Sequence, residues 1–209
     1  LEQSPSYEAK REAAKPARLA TQNAKKPRAP EVAARSPNEP WVELLKPALD
    51  VVFLGFNPSL PAWRTGHYYA NPGNRFYALL FASGLTPRLF SPHEDRLLLA
   101  QGIGAADLVL EPSARADELP ASRFVDAAPG LVARLSRVAP RAVCCNGVGV
   151  YRAIFRENPP ALGLVPGKEI AGAVVFVSPS TSGLANGFSR QRSAVFQQLA
   201  DWLRAHPRV

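Results

Sequence analysis

The chain has 209 residues, 46% of them hydrophobic, and its 25 lysines and arginines outweigh 17 aspartates and glutamates to give a formal charge of +8. That apolar content supports one core of ordinary size and leaves little for a second, while the positive balance favours polyanionic partners, nucleic acid first. No apolar run approaches the 18 residues of a membrane-spanning helix. The adjacent Cys144 and Cys145 are too few for an iron–sulfur cluster and poorly placed for a disulfide. His67, His93 and His206 share no metal-ligand spacing, so no structural metal is expected; no complete nucleotide-binding motif is present either, so no cofactor is expected. Two free thiols suit a reducing, cytoplasmic setting, nucleoid-associated if the source is bacterial.

In chain order, residues 1–40 read as a basic, disordered arm. Between Lys10 and Arg35 lie eight lysines and arginines against two glutamates, spaced by Ala, Pro, Gln and Asn, with almost nothing to build a core. Such an arm serves either as a solvated leader or as a nonspecific phosphate-binding tail. A single domain is expected over residues 41–206. Val51-Val52-Phe53-Leu54 ending in Gly55 reads as a strand buried on both faces. Asn74 to Gly84 reads as a helix closed by its glycine. Ser91-Pro92-His93-Glu94 is a capping box opening a second helix through Leu99.

Ala106 to Leu110 is strand-like, following a flexible Gly102-Ile103-Gly104 turn. Ala121 to Val138 reads as a helix with Phe124, Leu131 and Leu135 on one face and Pro129-Gly130 as a candidate break. Arg141 to Asn146 is another buried strand, followed by a short helix around Val150 to Phe155. Ala173 to Val177 is a further strand, and Val195, Leu199, Trp202 and Leu203 mark a final amphipathic helix. Strands and helices alternate, and the strands lack period-two patterning. The expected fold is therefore α/β, a three-layer sandwich around a central, mainly parallel sheet of four to five strands. Ligands of such sheets bind beyond the carboxyl ends of the strands, which directs attention to the loops after Leu54, Leu110, Asn146 and Val177.

Those loops carry Gly55-Phe56-Asn57-Pro58-Ser59, then Asn71-Pro72-Gly73-Asn74-Arg75-Phe76 at a helix start, and Ser178-Pro179-Ser180-Thr181-Ser182-Gly183-Leu184-Ala185-Asn186 after the last strand. In order and loop context these motifs resemble the mismatch-specific uracil/thymine-DNA glycosylases, the asparagine-type branch of the uracil-DNA glycosylase superfamily. The resemblance runs from Trp41 to His206 and excludes the arm. Ordinary uracil-DNA glycosylases place an aspartate where this chain has Asn57 and a histidine near the tip, where it has none, and the iron–sulfur branches need four cysteines.

The resemblance implies a monofunctional, monomeric glycosylase of base excision repair. It would flip uracil, or a related pyrimidine, out of G·U-type mismatched duplex DNA and hydrolyse the N-glycosidic bond. Extraction is needed because that bond is unreachable within a duplex. It further implies that Asn57 holds the attacking water, that Phe56 and Tyr69 bind the base, Tyr69 by stacking, and that Ser182, Gly183, Leu184, Ala185 and Asn186 meet DNA, Leu184 as an apolar wedge. The family's tip has serine and arginine where this chain has Ala185 and Asn186, and Ser59 stands where the family has a glycine, a change expected to narrow the pocket floor. Arg75 either holds a phosphate or caps and pairs at the surface.

An amide orients water but cannot take its proton, so a second group is sought. From the chain itself, independently of the family motif, Asp107 is a candidate general base or stabiliser of the sugar cation, a surface or capping role being the alternative. The competing class is a noncatalytic DNA- or nucleotide-binding α/β module, for which Gly147-Val148-Gly149 is an incomplete dinucleotide fingerprint.

Overall fold

The computed structural model describes residues 39–183 and 186–208. The basic arm, Leu184 and Ala185 lie outside the described residues, as does the side chain of Asn186. Five strands, β1 (Val51–Gly55), β2 (Ile103–Asp107), β3 (Ala142–Asn146), β4 (Gly163–Ile170) and β5 (Ala173–Ser178), form one sheet in the order β2-β1-β3-β5-β4. All pairings are parallel except β4 with β5. Helices α1 (Leu60–Thr65), α2 (Phe76–Ala82), α3 (Ala121–Val138), α4 (Val148–Phe155) and α5 (Ser189–Ala205) complete an α/β architecture.

Alternate strand residues face opposite sides of a sheet, and both sides here are apolar. Val52, Leu54, Val143, Cys145, Val175 and Val177 pack into one core with Phe124, Leu131 and Leu135 of α3. Val51, Phe53, Cys144 and Phe176 pack into the other with α2 and α5. Cys144 and Cys145 therefore point into different layers as free thiols, and burial pushes Cys145 up to about 12. The expected three-layer sandwich is the observed one.

Three local expectations change. The second strand ends at Asp107 instead of beginning there. Leu108 and Val109 are buried too, so the apolar signal runs past the strand, where their amides bond Gly55 O and Phe56 O. The presumed flexible turn is ordered structure. Gly102, at φ 73, closes the preceding 3-10 helix Pro92–Gln101, and Gly104 lies within β2, where a Cβ would come 2.5 Å from Leu49 Cδ1. Pro129 does not break α3, which runs through it. The antiparallel β4 and the short α1 have no counterpart in the sequence reading. Pro166, Gly167 and Lys168 interrupt β4, which sits at the sheet edge with a register shift between Val165 and Glu169, where proline and a bulge are tolerated.

Candidate active site

Strand order reverses between β1 and β3, so the loops leaving them diverge and open a crevice at the carboxyl ends of the sheet. A cleft of about 500 Å³ lies there. Gly55 to Ser59 from β1, Tyr69 ahead of α2, Asp107 from β2, Asn146 from β3, and Ser180 to Ser182 after β5 all line it.

Asn57 is half-buried and its orientation is determined by its neighbours. Nδ2 donates to Glu111 O at 2.9 Å and to Ser113 Oγ at 2.8 Å. The first acceptor is a carbonyl, and Ser113 spends its own proton on Arg115 O at 2.7 Å. Both partners can only accept, so the amide cannot be reversed. With both N–H groups engaged, Oδ1 is the group left to orient a bound molecule, and it does so as an acceptor.

Asp107 pairs in register with Gly55 across β1 and β2. A Cβ on Gly55 would collide with Asp107 Oδ1, so the glycine at the end of β1 makes room for this carboxyl. Asp107 is 4% exposed, and among the described residues its Oδ2 has no hydrogen-bond partner. Burial pushes the carboxyl up to about 7, helped by the Glu43 carboxylate; the Tyr68 hydroxyl, the Trp41 indole N–H and the Arg134 charge pull it back. A carboxyl buried at a cleft and titrating near neutrality is suited to proton transfer.

The adjacent tyrosines divide their work. Tyr68 is core: its hydroxyl accepts from Trp41 Nε1 at 2.9 Å, and its amide donates to the buried Asp95 at 2.9 Å. Tyr69 has a left-handed backbone, φ 57, which costs a non-glycine residue on the order of 1 kcal/mol and is typical of functional sites. One face of its ring is covered by Phe76 at a centroid distance of 3.8 Å. Burial raises its hydroxyl far above the ordinary range. The Phe56 ring turns away to pack against Phe124 at 4.7 Å, and its carbonyl accepts from Val109 N. Gly149 is what admits that ring, since a Cβ there would lie 2.5 Å from Phe56 Cζ. Gly147, at φ 132, makes the turn into α4. Packing and backbone geometry thus account for both glycines of the incomplete dinucleotide fingerprint.

The tip after β5 is fastened at both ends. Thr181, fully buried, accepts from Asn146 Nδ2 through Oγ1 and donates its amide to Asn146 Oδ1, both at 2.9 Å, while its carbonyl accepts from Arg75 N. The buried Arg192 donates to Ser180 O and Phe188 O, joining the two ends of the tip. Gly183 lies against Gly73, where a Cβ would come 2.9 Å from Gly73 O. Ser182 lines the cleft together with Asn57, and Asn186 begins a 3-10 turn to Phe188. Arg75 has an exposed side chain at the start of α2. Ser59 accepts from Ala62 N at 3.4 Å, capping α1.

Glu111, Ser113 and the Glu43–Arg134 pair did not stand out in the sequence, and Thr181 was visible only as part of the tip motif. Each acts on a residue distant along the chain, a relation that no local pattern shows. The sequence marked Asn146 as a strand end and as the start of the incomplete dinucleotide fingerprint, not as a partner of the tip. A cleft at the switch point of an α/β sheet thus brings together an oriented amide and a buried carboxyl. Residues 42–204 match the family model of the uracil DNA glycosylase superfamily. The chain belongs to that superfamily and is a DNA glycosylase, a hydrolase of N-glycosyl compounds that acts on DNA in repair.

Proposed function

We propose that the enzyme excises uracil from G-mismatched duplex DNA, with Asn57 and Asp107 as its catalytic pair. The observation that carries this reading is the fixed amide of Asn57, whose Oδ1 is left as an acceptor in the cleft that Asp107 also lines. A water donating one hydrogen to Oδ1 presents a lone pair to the deoxyribose. The C1′–N bond breaks with its electron pair leaving on the base, and the water oxygen bonds C1′. The water's proton passes to the Asp107 carboxylate, and from there to solvent or the departing base. The products are a free base and an abasic hydroxyl sugar, and the carboxylate also steadies the cationic sugar as the bond lengthens.

Phe56 and Tyr69 would hold the base through their backbone groups, and Tyr69 would offer it the ring face that Phe76 does not cover. Ser182 to Asn186 would meet the duplex, with Leu184 filling the vacated space. Mismatch preference follows from the cost of extraction, a few kcal/mol and lower for a mispaired base. Single-turnover base release from G·U, A·U, G·T and single-stranded substrates tests the assignment. G·U is expected to react faster than A·U, and Leu184→Ala is expected to slow duplex substrates more than single strands. Equal rates on G·U and A·U, or a Leu184→Ala variant that treats both forms alike, would remove the mismatch reading.

A further inference from the structure

We infer that Glu43 and Arg134 are positioning residues, an ion pair that clamps Asp107 through its backbone and sets the pH range in which the enzyme cleaves. This role rests on Asp107 acting as proposed above.

The geometry is that of a clamp. Glu43, just ahead of β1, accepts from Asp107 N at 3.1 Å through Oε1. Its Oε2 lies 2.8 Å from Arg134 Nε on α3, and Arg134 Nη2 donates to Asp107 O at 2.7 Å. One ion pair thus holds both backbone polar groups of a single residue, at the end of the strand that delivers it to the cleft. Glu43 is nearly inaccessible, with 9% of its side chain exposed, and Arg134 is largely covered at 27%. Burial of such a pair is expensive and stabilises little, so its placement calls for a use beyond stability. The charged and titratable groups facing Asp107 are Glu43 from the segment before β1, Tyr68 and Tyr69 from the loop before α2, and Arg134 from α3. Burial keeps both tyrosine hydroxyls neutral. The two charges are left to work against each other, Glu43 favouring the protonated carboxyl and Arg134 the ionised one.

Opposition of sign separates tuning from mere support. In Glu43→Gln a carbonyl still accepts from Asp107 N, but the negative charge is gone and Arg134 is unbalanced, so Asp107 ionises at lower pH. In Arg134→Gln the reverse holds. Glu43→Gln/Arg134→Gln, without either charge, is expected to return toward the wild type and covers the case in which one single variant folds poorly. Two quantities are read on the full chain: the midpoint of the acid limb of single-turnover uracil release, and the titration of the Asp107 carboxyl followed by carbon NMR. The wild-type limb is expected near pH 7. The midpoint should fall in Glu43→Gln and rise in Arg134→Gln, each unit of movement changing the rate about tenfold on the acid side. Carboxyl midpoints that move the same way in both variants, or not at all, overturn the proposal. If Asp107→Asn instead cleaves with wild-type rate and pH profile, it is the catalytic reading of Asp107 that fails, and the NMR titration distinguishes the two cases.

Discussion

Replacing Asp107 by asparagine is expected to stabilise the enzyme while disabling it, and the size of the effect follows from the site. The folded protein holds the Asp107 proton up to about pH 7, against an ordinary value of 3.8. At roughly 1.4 kcal/mol per pH unit, ionising this carboxyl in place costs about 4 kcal/mol at pH 8. The sign is fixed by linkage. Well below pH 3.8 the carboxyl is protonated in both folded and unfolded chains, so its ionisation carries no penalty. As pH rises toward 7 the unfolded chain loses the proton first, and folded stability falls. Asparagine has no proton to lose, so Asp107→Asn should gain over the wild type from about pH 4, and the gap should level off above pH 7. After a cost of about 1–3 kcal/mol for burying an amide, a gain of about 1–3 kcal/mol at pH 8 is expected. Urea denaturation of both proteins at pH 4.5, 6 and 8 measures the gap, and other titrating groups cancel in the difference. A gap independent of pH, or one that widens toward acid, would refute the placement of a buried, near-neutral carboxyl at the end of β2.

Asn57→Ala should lower single-turnover base release by about a hundredfold or more, the scale of losing a preorganised polar group at a reacting centre. Ser113→Ala should fall between it and the wild type, because one of the two acceptors that orient the amide is kept. Thr181→Val deprives Asn146 Nδ2 of its buried acceptor; a loss of about 1–3 kcal/mol in denaturant stability is expected, with weakened duplex binding in a titration. Gly149→Ala drives a methyl group into the Phe56 ring, and an overpacking cost of about 1–3 kcal/mol should appear as a lower melting temperature together with slower base release.

Much of the architecture was legible because buried parallel strands and amphipathic helices write their periods into the chain: Val51–Leu54, Arg141–Asn146 and Ala173–Val177 each mark a strand, and Ser91 to Glu94 form the box that starts the 3-10 helix, Ser91 N donating to Glu94 at 2.9 Å. The errors have physical causes. At β2, two apolar residues beyond the strand are buried by loop packing, which shifts the apparent strand forward, and glycines required for close approach look like a turn. At β4, an edge position tolerates the proline and glycines that argue against a strand.

The candidate site divides in the same way. Asn57 and Ser182-Gly183 sit in contiguous motifs and could be read directly. The partner set of Asn57 joins residues 54 and 56 positions apart, and the Glu43–Arg134 link spans 91, distances at which only the fold brings residues together. Asp107 was noticed for its chemistry, but the feature that makes room for its carboxyl, Gly55 opposite it in the sheet, exists only once β1 and β2 are paired.

A structure of the enzyme bound to a G·U duplex, carrying a deoxyuridine analogue fluorinated on the sugar to resist cleavage, tests the site most directly. The extrahelical uracil should lie in the cleft, with a water on the Asn57 carbonyl oxygen facing C1′ and the Asp107 carboxyl within hydrogen-bond reach of that water. A nucleotide lodged elsewhere, or a water at C1′ held by neither side chain, would contradict the account.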